Sequence, residues 1–200
     1  LRDQLGGKKS LEGPIINNQT PLANQVMQAK YDFAAANQLL DASGWIKDKN
    51  GIRQKGGIPL EIHVVAVDTS NYRKLTKLLG EQWKKLGIKV QAQLIDPEQI
   101  QQVILRPRAY DVLVYELSQG GDPDGYAFWH SSQASSSGLN FSNYVSPSAD
   151  DALLTARGRS NISLRDAKYA NFAKRWVEDA PAVALYRSSL KYTTTEGTSS

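Results

Sequence analysis

The stretch "LEIHVVAVDTSNYRKLTKLLGEQWKKLGIKVQAQLI", residues 60–95, changes its hydrophobic period twice and so defines three elements. "LEIHVVAV" at 60–67 is rich in β-branched residues and nearly apolar at its end, which predicts a strand covered on both faces. Apolar residues at helical spacing follow and predict a helix with N-cap candidates at 68–70 and its end at Gly87. "IKVQAQLI" at 88–95 predicts the next strand.

The chain after this stretch continues the pattern. Asp96 followed by Pro97 predicts the start of a short helix, since a proline costs nothing at the first helical position. The apolar face of that helix consists of Ile100, Val103 and Ile104. "YDVLVYEL" at 110–117 predicts a third strand. The order β-α-β-α-β, with connections of this length, predicts parallel neighbouring strands and right-handed crossovers.

The segment before this core is polar and punctuated by turns. Residues 1–31 are rich in Gly, Pro, Asn and Gln and predict an irregular surface segment. Asp32 is placed to cap a helix that stops at Ser43 and Gly44. "KDKNGIRQKGG" at 47–57 then predicts a polar turn.

The segment after the core adds helices and short strands. The predicted elements are, in order, a helix from 146–147, a helix over about 164–178, and strands at 182–188 and 191–195. We therefore expect one α/β lobe over 32–195, a βαβαβ sheet flanked by helices, followed by a tail at 196–200.

Composition excludes several classes of protein. The 200 residues are 40% hydrophobic, which is enough to bury a core, and no apolar run is long enough to cross a bilayer. The absence of cysteine excludes disulfides and thiolate metal sites. The net charge of +4 is dispersed, whereas nucleic-acid binding would need a clustered basic face. Because the chain opens at Leu1 with "LRDQLGGKKS", we expect a fragment of a longer protein.

The stretch "SQGGDPDGYAFWHSSQASSSG", residues 118–138, leaves the third predicted strand at its carboxyl end. Ligands of open α/β sheets bind at that end, so this loop is the first candidate for a site. Gly120 and Gly121 are expected to permit positive φ and close backbone approach. The proline between Asp122 and Asp124 should hold both carboxylates in place.

Aromatic residues follow the acidic turn. Tyr126, Phe128 and Trp129 would supply a flat apolar surface next to fixed polar groups, as is usual in small-molecule sites. The alternative interpretation is that Asp-Pro-Asp-Gly is only a turn and that the aromatic side chains, Trp129 included, fill the core beneath it. His130, next to Trp129, is a less favoured candidate for contact with a ligand.

The residues for catalysis or metal binding are not present in the required patterns. Asp122 and Asp124 are only two residues apart, whereas a glycosidase pair is brought together from different elements. No nucleophile elbow or phosphate loop occurs. His63 and His130 have no metal-ligand spacing. We expect no catalytic residue, no metal and no cofactor.

Seven stretches, taken in their order, resemble one known family. They are "GPIINNQTP", "YDFAAANQLLDASGW", "PLEIHVVAV", "KLLGEQWKKLGIKVQAQLID", "YDVLVYELSQGGDPDGYAFWHSS", "NFSNYVSPSADDALLTAR" and "YANFAKRWVEDAPAVALYRS". The chain resembles the second lobe of the family 5 extracellular solute-binding proteins, the peptide- and nickel-binding components of bacterial ABC importers. The resemblance implies one lobe of a type 2 periplasmic-binding-protein fold.

This resemblance also implies a function. Two lobes trap a solute in the cleft between them and deliver it to an ABC permease, without catalysis. The protein would be a monomer outside the cytoplasmic membrane, with the first lobe and a possible lipid anchor in the absent upstream part. Its ligand-binding residues would be Ser118 and Gln119 by hydrogen bonding, Asp122 and Asp124 by fixing polar groups, and Tyr126 and Trp129 by stacking.

One departure from the family affects the solute. Peptide binders of the family commonly have an aspartate three residues before the Asp-Pro, and this chain has Gln119 there. The neutral amide of Gln119 cannot form an ion pair with the ammonium group of a peptide. Asp122 or Asp124 would have to supply the negative charge instead. Both a peptide and an oligosaccharide therefore fit the residues. Two further alternatives are a hydrolase that uses the acidic turn and a sensing module of the same fold.

Overall fold

The computed structural model describes residues 9–16, 19–22 and 25–188. Its strands are β1 (Lys9–Ser10), β2 (Ile46–Lys47), β3 (Arg53–Lys55), β4 (Ile58–Pro59), β5 (Glu61–Val67), β6 (Lys89–Ile95), β7 (Val112–Val114) and β8 (Tyr186–Arg187). Its α-helices are α1 (Phe33–Ala42), α2 (Ser70–Leu86), α3 (Tyr126–Trp129), α4 (Pro147–Arg157) and α5 (Ile162–Asp179). The described residues form a three-stranded parallel sheet, two small antiparallel sheets and a helical layer.

The parallel sheet has the strand order β6-β5-β7. Val64 of β5 lies opposite Ala92 of β6 and Val112 of β7. The central strand β5 is covered on both faces. Val64 packs with Leu75 of α2 on one face, and Val65 packs on the other face with residues of the connection between β6 and β7. The predicted βαβαβ arrangement is confirmed.

The predicted helix ends are confirmed where local chemistry defines them. The Thr69 hydroxyl accepts a hydrogen bond from the Tyr72 backbone N–H at 3.3 Å and caps α2. Gly87 ends α2 with φ of +88°, and a Cβ there would lie 2.5 Å from the carbonyl oxygen of Gly51. Asp32 caps α1 in the same way as Thr69 caps α2.

The third strand is shorter than predicted. Only Val112–Val114 pairs with β5, although the pattern predicted a strand over 110–117. Asp111 sits in a bend where its carboxylate accepts the His63 backbone N–H at 2.7 Å. After β7 the chain turns away, and Leu117 packs against the helical layer instead of the sheet.

Two connections between strands also differ from their predictions. The predicted short helix is a π-helical turn at Gln101–Leu105. Val103, predicted on the apolar face of that helix, is 48% exposed. The predicted polar turn at 47–57 forms an antiparallel meander of β2, β3 and β4. Its middle strand buries Arg53, which the polar pattern gave no reason to expect.

The helical layer is built from small residues on α4 and aromatic residues on α5. The buried side chains are Ala149, Ala152, Leu153 and Ala156 of α4, and Tyr169, Phe172, Ala173 and Trp176 of α5. Both helices were predicted, and α5 begins two residues earlier because Asn161 caps it through the Leu164 N–H. We call this set, together with Trp129 and Tyr144, the helical core.

Strands β1 and β8, near the two limits of the described residues, form a two-stranded antiparallel sheet. The strand predicted at 182–188 is confined to β8, which pairs antiparallel with β1. The strand predicted at 191–195 lies outside the described residues. No helix in the described ranges has the length and apolar character needed to cross a bilayer.

Candidate functional site

The acidic loop, residues 118–130, begins four residues after β7 ends. Because β5, β6 and β7 are parallel, their carboxyl ends share the edge of the sheet from which this loop emerges. The loop crosses to the helical layer and ends in the single turn of α3. It therefore occupies the edge at which open α/β folds bind ligands.

The N-terminal segment holds the first half of the loop. The Gln19 side chain donates through Nε2 to the carbonyl oxygens of Gly120 at 2.7 Å and Asp122 at 3.0 Å. The Gln119 side chain donates to the carbonyl oxygen of Pro14 at 3.0 Å. The amide predicted to bind solute thus already fixes the loop, while Ser118 is exposed.

Asp122 is held by an arginine of α5. Arg165 donates through one nitrogen to both carboxylate oxygens of Asp122, at 2.7 and 2.6 Å. The Asp124 backbone N–H also donates to Asp122, at 2.9 Å. Burial by itself raises the pKa of Asp122, but the hydrogen bonds from Arg165 and Asp124 outweigh burial and place this pKa below its usual value.

Asp124 is held by an arginine of α4. Its carboxylate lies 2.9 Å from Nε of Arg157 and also accepts the Tyr126 backbone N–H at 3.0 Å. Asp-Pro-Asp-Gly is thus a turn closed by its own carboxylates and bound to both helices. Each carboxylate has a loop-fixing role in this geometry, and direct contact of either with solute stays a prediction.

The aromatic residues of the loop divide between surface and core. Tyr126 is half-buried, stacks on His130 with ring centroids 4.2 Å apart, and has the Arg157 guanidinium 4.4 Å from its ring. Its hydroxyl lies 3.1 Å from that of Ser132. The Tyr126 ring thus already contacts His130 and Arg157, and its stacking on a solute stays a prediction.

Trp129 lies in the helical core. It is 7% exposed and packs edge-to-face on Trp176 at 5.3 Å between ring centroids. Gly125 makes room for it, because a Cβ at that position would lie 2.8 Å from Cδ1 of the indole. In this conformation Trp129 cannot stack on a solute, and the alternative interpretation, that it fills the core, describes its position.

The glycines that constrain the loop are not those expected from the sequence. Gly120 and Gly121 do not take positive φ, and a Cβ on either would meet nothing within 4 Å. Within the loop the steric requirement lies at Gly125. Beyond the loop it lies at Gly138, where a Cβ would be 2.1 Å from the carbonyl oxygen of Gln133. The prediction for the paired glycines was therefore wrong.

Sequence reasoning missed the partners of the loop. Gln19, Arg157 and Arg165 hold the loop, but each lies tens of residues from it along the chain. Neither their spacing nor their neighbours marks them, so no local signal could have identified them. Across the described ranges, no three or more His, Cys, Asp or Glu side chains are grouped to hold a metal ion.

Residues 2–140 match the protein family described as "Bacterial extracellular solute-binding proteins, family 5 Middle". The chain belongs to this family. Two curated relatives are the oligopeptide-binding protein AppA of Bacillus subtilis, 29% identical over 88% of the chain, and protein XP55 of Streptomyces lividans, 30% identical over 87%. The chain spans 32% of the length of each.

Solved structures agree with the family. The structure of B. subtilis AppA in complex with a nonapeptide matches 92% of this chain and 38% of its own, at 25% identity and a TM-score of 0.78. A mannohexaose-bound periplasmic oligopeptide-binding protein of Thermotoga maritima matches 90% of this chain and 36% of its own, at 17% identity and a TM-score of 0.77. The first confirms the predicted type 2 periplasmic-binding-protein fold, and the second shows the fold alone.

Proposed function

We propose that this family 5 chain is one lobe of a solute-binding protein that captures an oligopeptide outside the cytoplasmic membrane and delivers it to an ABC permease. The observation that carries the proposal is the acidic loop, fixed at the carboxyl edge of the parallel sheet by Gln19, Arg157 and Arg165. A surface held in advance loses little entropy on binding. The oligopeptide-binding relative AppA supports the peptide as the class of solute.

The solute would meet the exposed groups of the loop. Ser118 offers an exposed hydroxyl, Tyr126 offers a half-buried hydroxyl beside that of Ser132, and the Asp122 carboxylate is 55% exposed despite its ion pair. Backbone groups of an extended peptide are hydrogen-bonded by such fixed donors and acceptors. The second lobe would cover the opposite face of the solute and expel water.

A role in hydrolysis has no support in this geometry. A general acid needs a raised pKa near the working pH, whereas the pKa of Asp122 lies below its usual value. The Asp124 carboxylate is paired with Arg157. The proposal is therefore a binding protein and not an enzyme.

Mass spectrometry of solute released from the protein purified from its native source tests the proposal. We expect a mixture of oligopeptides, which a wash with a mild denaturant should release. Recovery of oligosaccharides alone would replace the peptide by a sugar as solute. Turnover of chromogenic glycosides or peptides that is lost in Asp122→Ala would overturn the binding function altogether.

The 200-residue chain alone should bind peptides weakly. A solute held on one side keeps most of its hydration, so much of the apolar and polar contact of a closed cleft is missing. Calorimetry of the chain with defined peptides is expected to give millimolar dissociation constants. A submicromolar constant would contradict the two-lobe arrangement that we propose.

A further inference from the structure

The end of the acidic loop is held by a histidine rather than by an arginine. His130 follows α3 and precedes a 3-10 turn at Ser131–Gln133. Its ring nitrogen Nδ1 accepts the backbone N–H of Ser132 at 3.1 Å, as the side chain of an N-cap residue does. The His130 carbonyl oxygen is held as well, since the Asn140 side chain donates to it at 3.1 Å. His130 therefore fixes the place where the loop meets the turn.

The same ring nitrogen is joined to Tyr126 through a hydroxyl group. Nδ1 of His130 lies 2.9 Å from Oγ of Ser132, and this oxygen lies 3.1 Å from the Tyr126 hydroxyl. The rings of Tyr126 and His130 also stack, with 4.2 Å between their centroids and an interplanar angle of 28°. The position of the Tyr126 ring thus depends on that of the imidazole.

The charged neighbours of the imidazole lie on α4. The Asp150 carboxylate is 3.9 Å from Nδ1 and already accepts the Ser131 backbone N–H at 2.8 Å. The Arg157 guanidinium lies 4.4 Å from the centroid of the Tyr126 ring on which His130 stacks, and it is itself paired with a carboxylate of the loop. The His130 side chain is 14% exposed. The imidazole is thus enclosed by a phenol, a carboxylate and an arginine that already has a partner.

Protonation of Nδ1 is incompatible with the cap. A neutral imidazole has one ring nitrogen that can accept a hydrogen bond, and in His130 this nitrogen accepts the Ser132 N–H. Both nitrogens of an imidazolium are donors, so two N–H groups would then face each other across 3.1 Å. The new N–H has other acceptors nearby, the Ser132 hydroxyl at 2.9 Å and the Asp150 carboxylate at 3.9 Å. Formation of the imidazolium therefore exchanges the cap for side-chain contacts.

We propose that His130 is a positioning residue of the acidic loop, and that protonation of its imidazole releases the backbone of the turn at Ser131–Gln133 and moves the Tyr126 ring. An imidazole ordinarily changes its charge between about pH 5 and pH 8. The end of the loop is accordingly held at neutral pH and released in mild acid. This regulation rests on the proposed function, because the loop is the surface that would meet the solute and would bind it less tightly in acid.

The test follows the Ser132 amide and the Tyr126 ring by NMR in the isotope-labelled chain, without solute, from about pH 8 to pH 5. We expect both signals to shift together with the ring protons of His130. Exchange of the Ser132 amide, corrected for its intrinsic dependence on pH, should become about fivefold faster in acid, as the loss of one N-cap implies. A Ser132 signal that does not follow the titration of His130 overturns the proposal.

His130→Asn separates the cap from the charge. The asparagine side chain offers an acceptor oxygen at the N-cap and does not titrate, so Ser132 should stay protected and insensitive to pH over the same range. His130→Ala removes the acceptor and should give fast exchange of the Ser132 amide at every pH. A Ser132 signal that titrates in His130→Asn as it does in the parent would assign the effect to another group, such as Asp150, and overturn the proposal.

His63→Gln is the matched control, because His63 is the other histidine of the chain and lies in β5. This variant should keep the pH dependence of the Ser132 and Tyr126 signals. Loss of that dependence in His63→Gln would overturn the role of His130. None of these measurements uses a solute, so a negative result leaves the proposed function intact, whereas a failure of that function is seen in the solute released from the purified protein.

Discussion

Two regions of the molecule are stabilised in opposite ways. One is the helical core, and the other is the N-terminal unit, which we define as residues 33–59 and which contains α1 and the β2–β4 meander. In the helical core, many side chains share the burial, from Ala149 to Trp176. In the N-terminal unit, no residue of α1 is buried, and the fully buried large side chain is that of Arg53. In a distributed apolar core the loss of one large side chain affects the whole layer, whereas the loss of a single cation affects only the groups that it joins.

Arg53 connects three elements of the chain. It is 1% exposed and donates to the Leu86 carbonyl oxygen of α2 at 2.7 Å, to Asn37 Oδ1 of α1 at 2.6 Å and to the Asp41 carboxylate at 2.5 Å. It also donates to the carbonyl oxygen of Trp45. The planar guanidinium satisfies all these acceptors at once, which an ammonium cannot do.

Trp176→Ala should have the largest effect. It removes a side chain that is 2% exposed and the ring against which Trp129 packs, so we expect a loss of about 4 kcal/mol in the free energy of unfolding. Because the helical core supports the acidic loop, amide exchange should rise throughout α4 and α5. Denaturant unfolding measures the loss, and a change as small as that of the half-buried control Trp83→Ala would contradict the position of Trp176 at the centre of the helical core.

Arg53→Met should cost about 3 kcal/mol, because it leaves buried carbonyl groups without donors. The loss should stay local, with faster amide exchange in residues 33–59 and unchanged exchange in α5. Hydrogen exchange by mass spectrometry separates the two regions. Arg53→Lys should fail to restore protection, whereas the exposed control Arg73→Met should leave exchange unchanged. Amide exchange that rises equally in residues 33–59 and in α5 would contradict the local role of Arg53.

Tyr144→Phe tests how the helical core responds to high pH. Burial raises the pKa of Tyr144 to about 12, and the hydrogen bond that its hydroxyl donates to Asp179 at 2.6 Å adds to the rise. A raised pKa gives stability that is full below pH 10 and is lost between pH 10 and about 12.

The measurement for Tyr144 is the free energy of unfolding in urea from neutral pH to pH 12. The variant should lose about 1 kcal/mol at neutral pH, and its deficit should shrink above pH 10. The exposed control Tyr31→Phe should follow the parent protein. A deficit that stays constant with pH would exclude the titration of Tyr144 as a source of alkaline instability.

Arg165→Gln should have the smallest effect on stability, about 0.5 kcal/mol, because Asp122 is 55% exposed and the pair is screened by solvent. The lowered pKa of Asp122 contributes stability above its unfolded value near 3.8, which is lost as the pH falls through the folded value. The variant should therefore lose less stability than the parent on acidification below pH 3.8. An identical acid limb in the parent and the variant would show that this ion pair does not form in solution.

The elements that local chemistry specifies were predicted from the sequence, and those that distant contacts specify were not. Strand β5, helix α2 and the glycine that ends it follow from period and capping within a few residues. The burial of Arg53 and the arginine partners of Asp122 and Asp124 depend on other elements of the chain. Trp129 shows the same limit, because the sequence around a tryptophan in a loop does not distinguish a side chain at the surface from one in the core.

The long-range contacts that hold the acidic loop also affect the order in which the chain folds. During synthesis Gln19 appears about one hundred residues before its acceptor at Gly120, and Arg165 appears 43 residues after Asp122. Contacts of such long range form late, because chain closure must precede them. The acidic loop should therefore become protected later in refolding than β5, α2 and β6, and pulse-labelled hydrogen exchange would show whether it does.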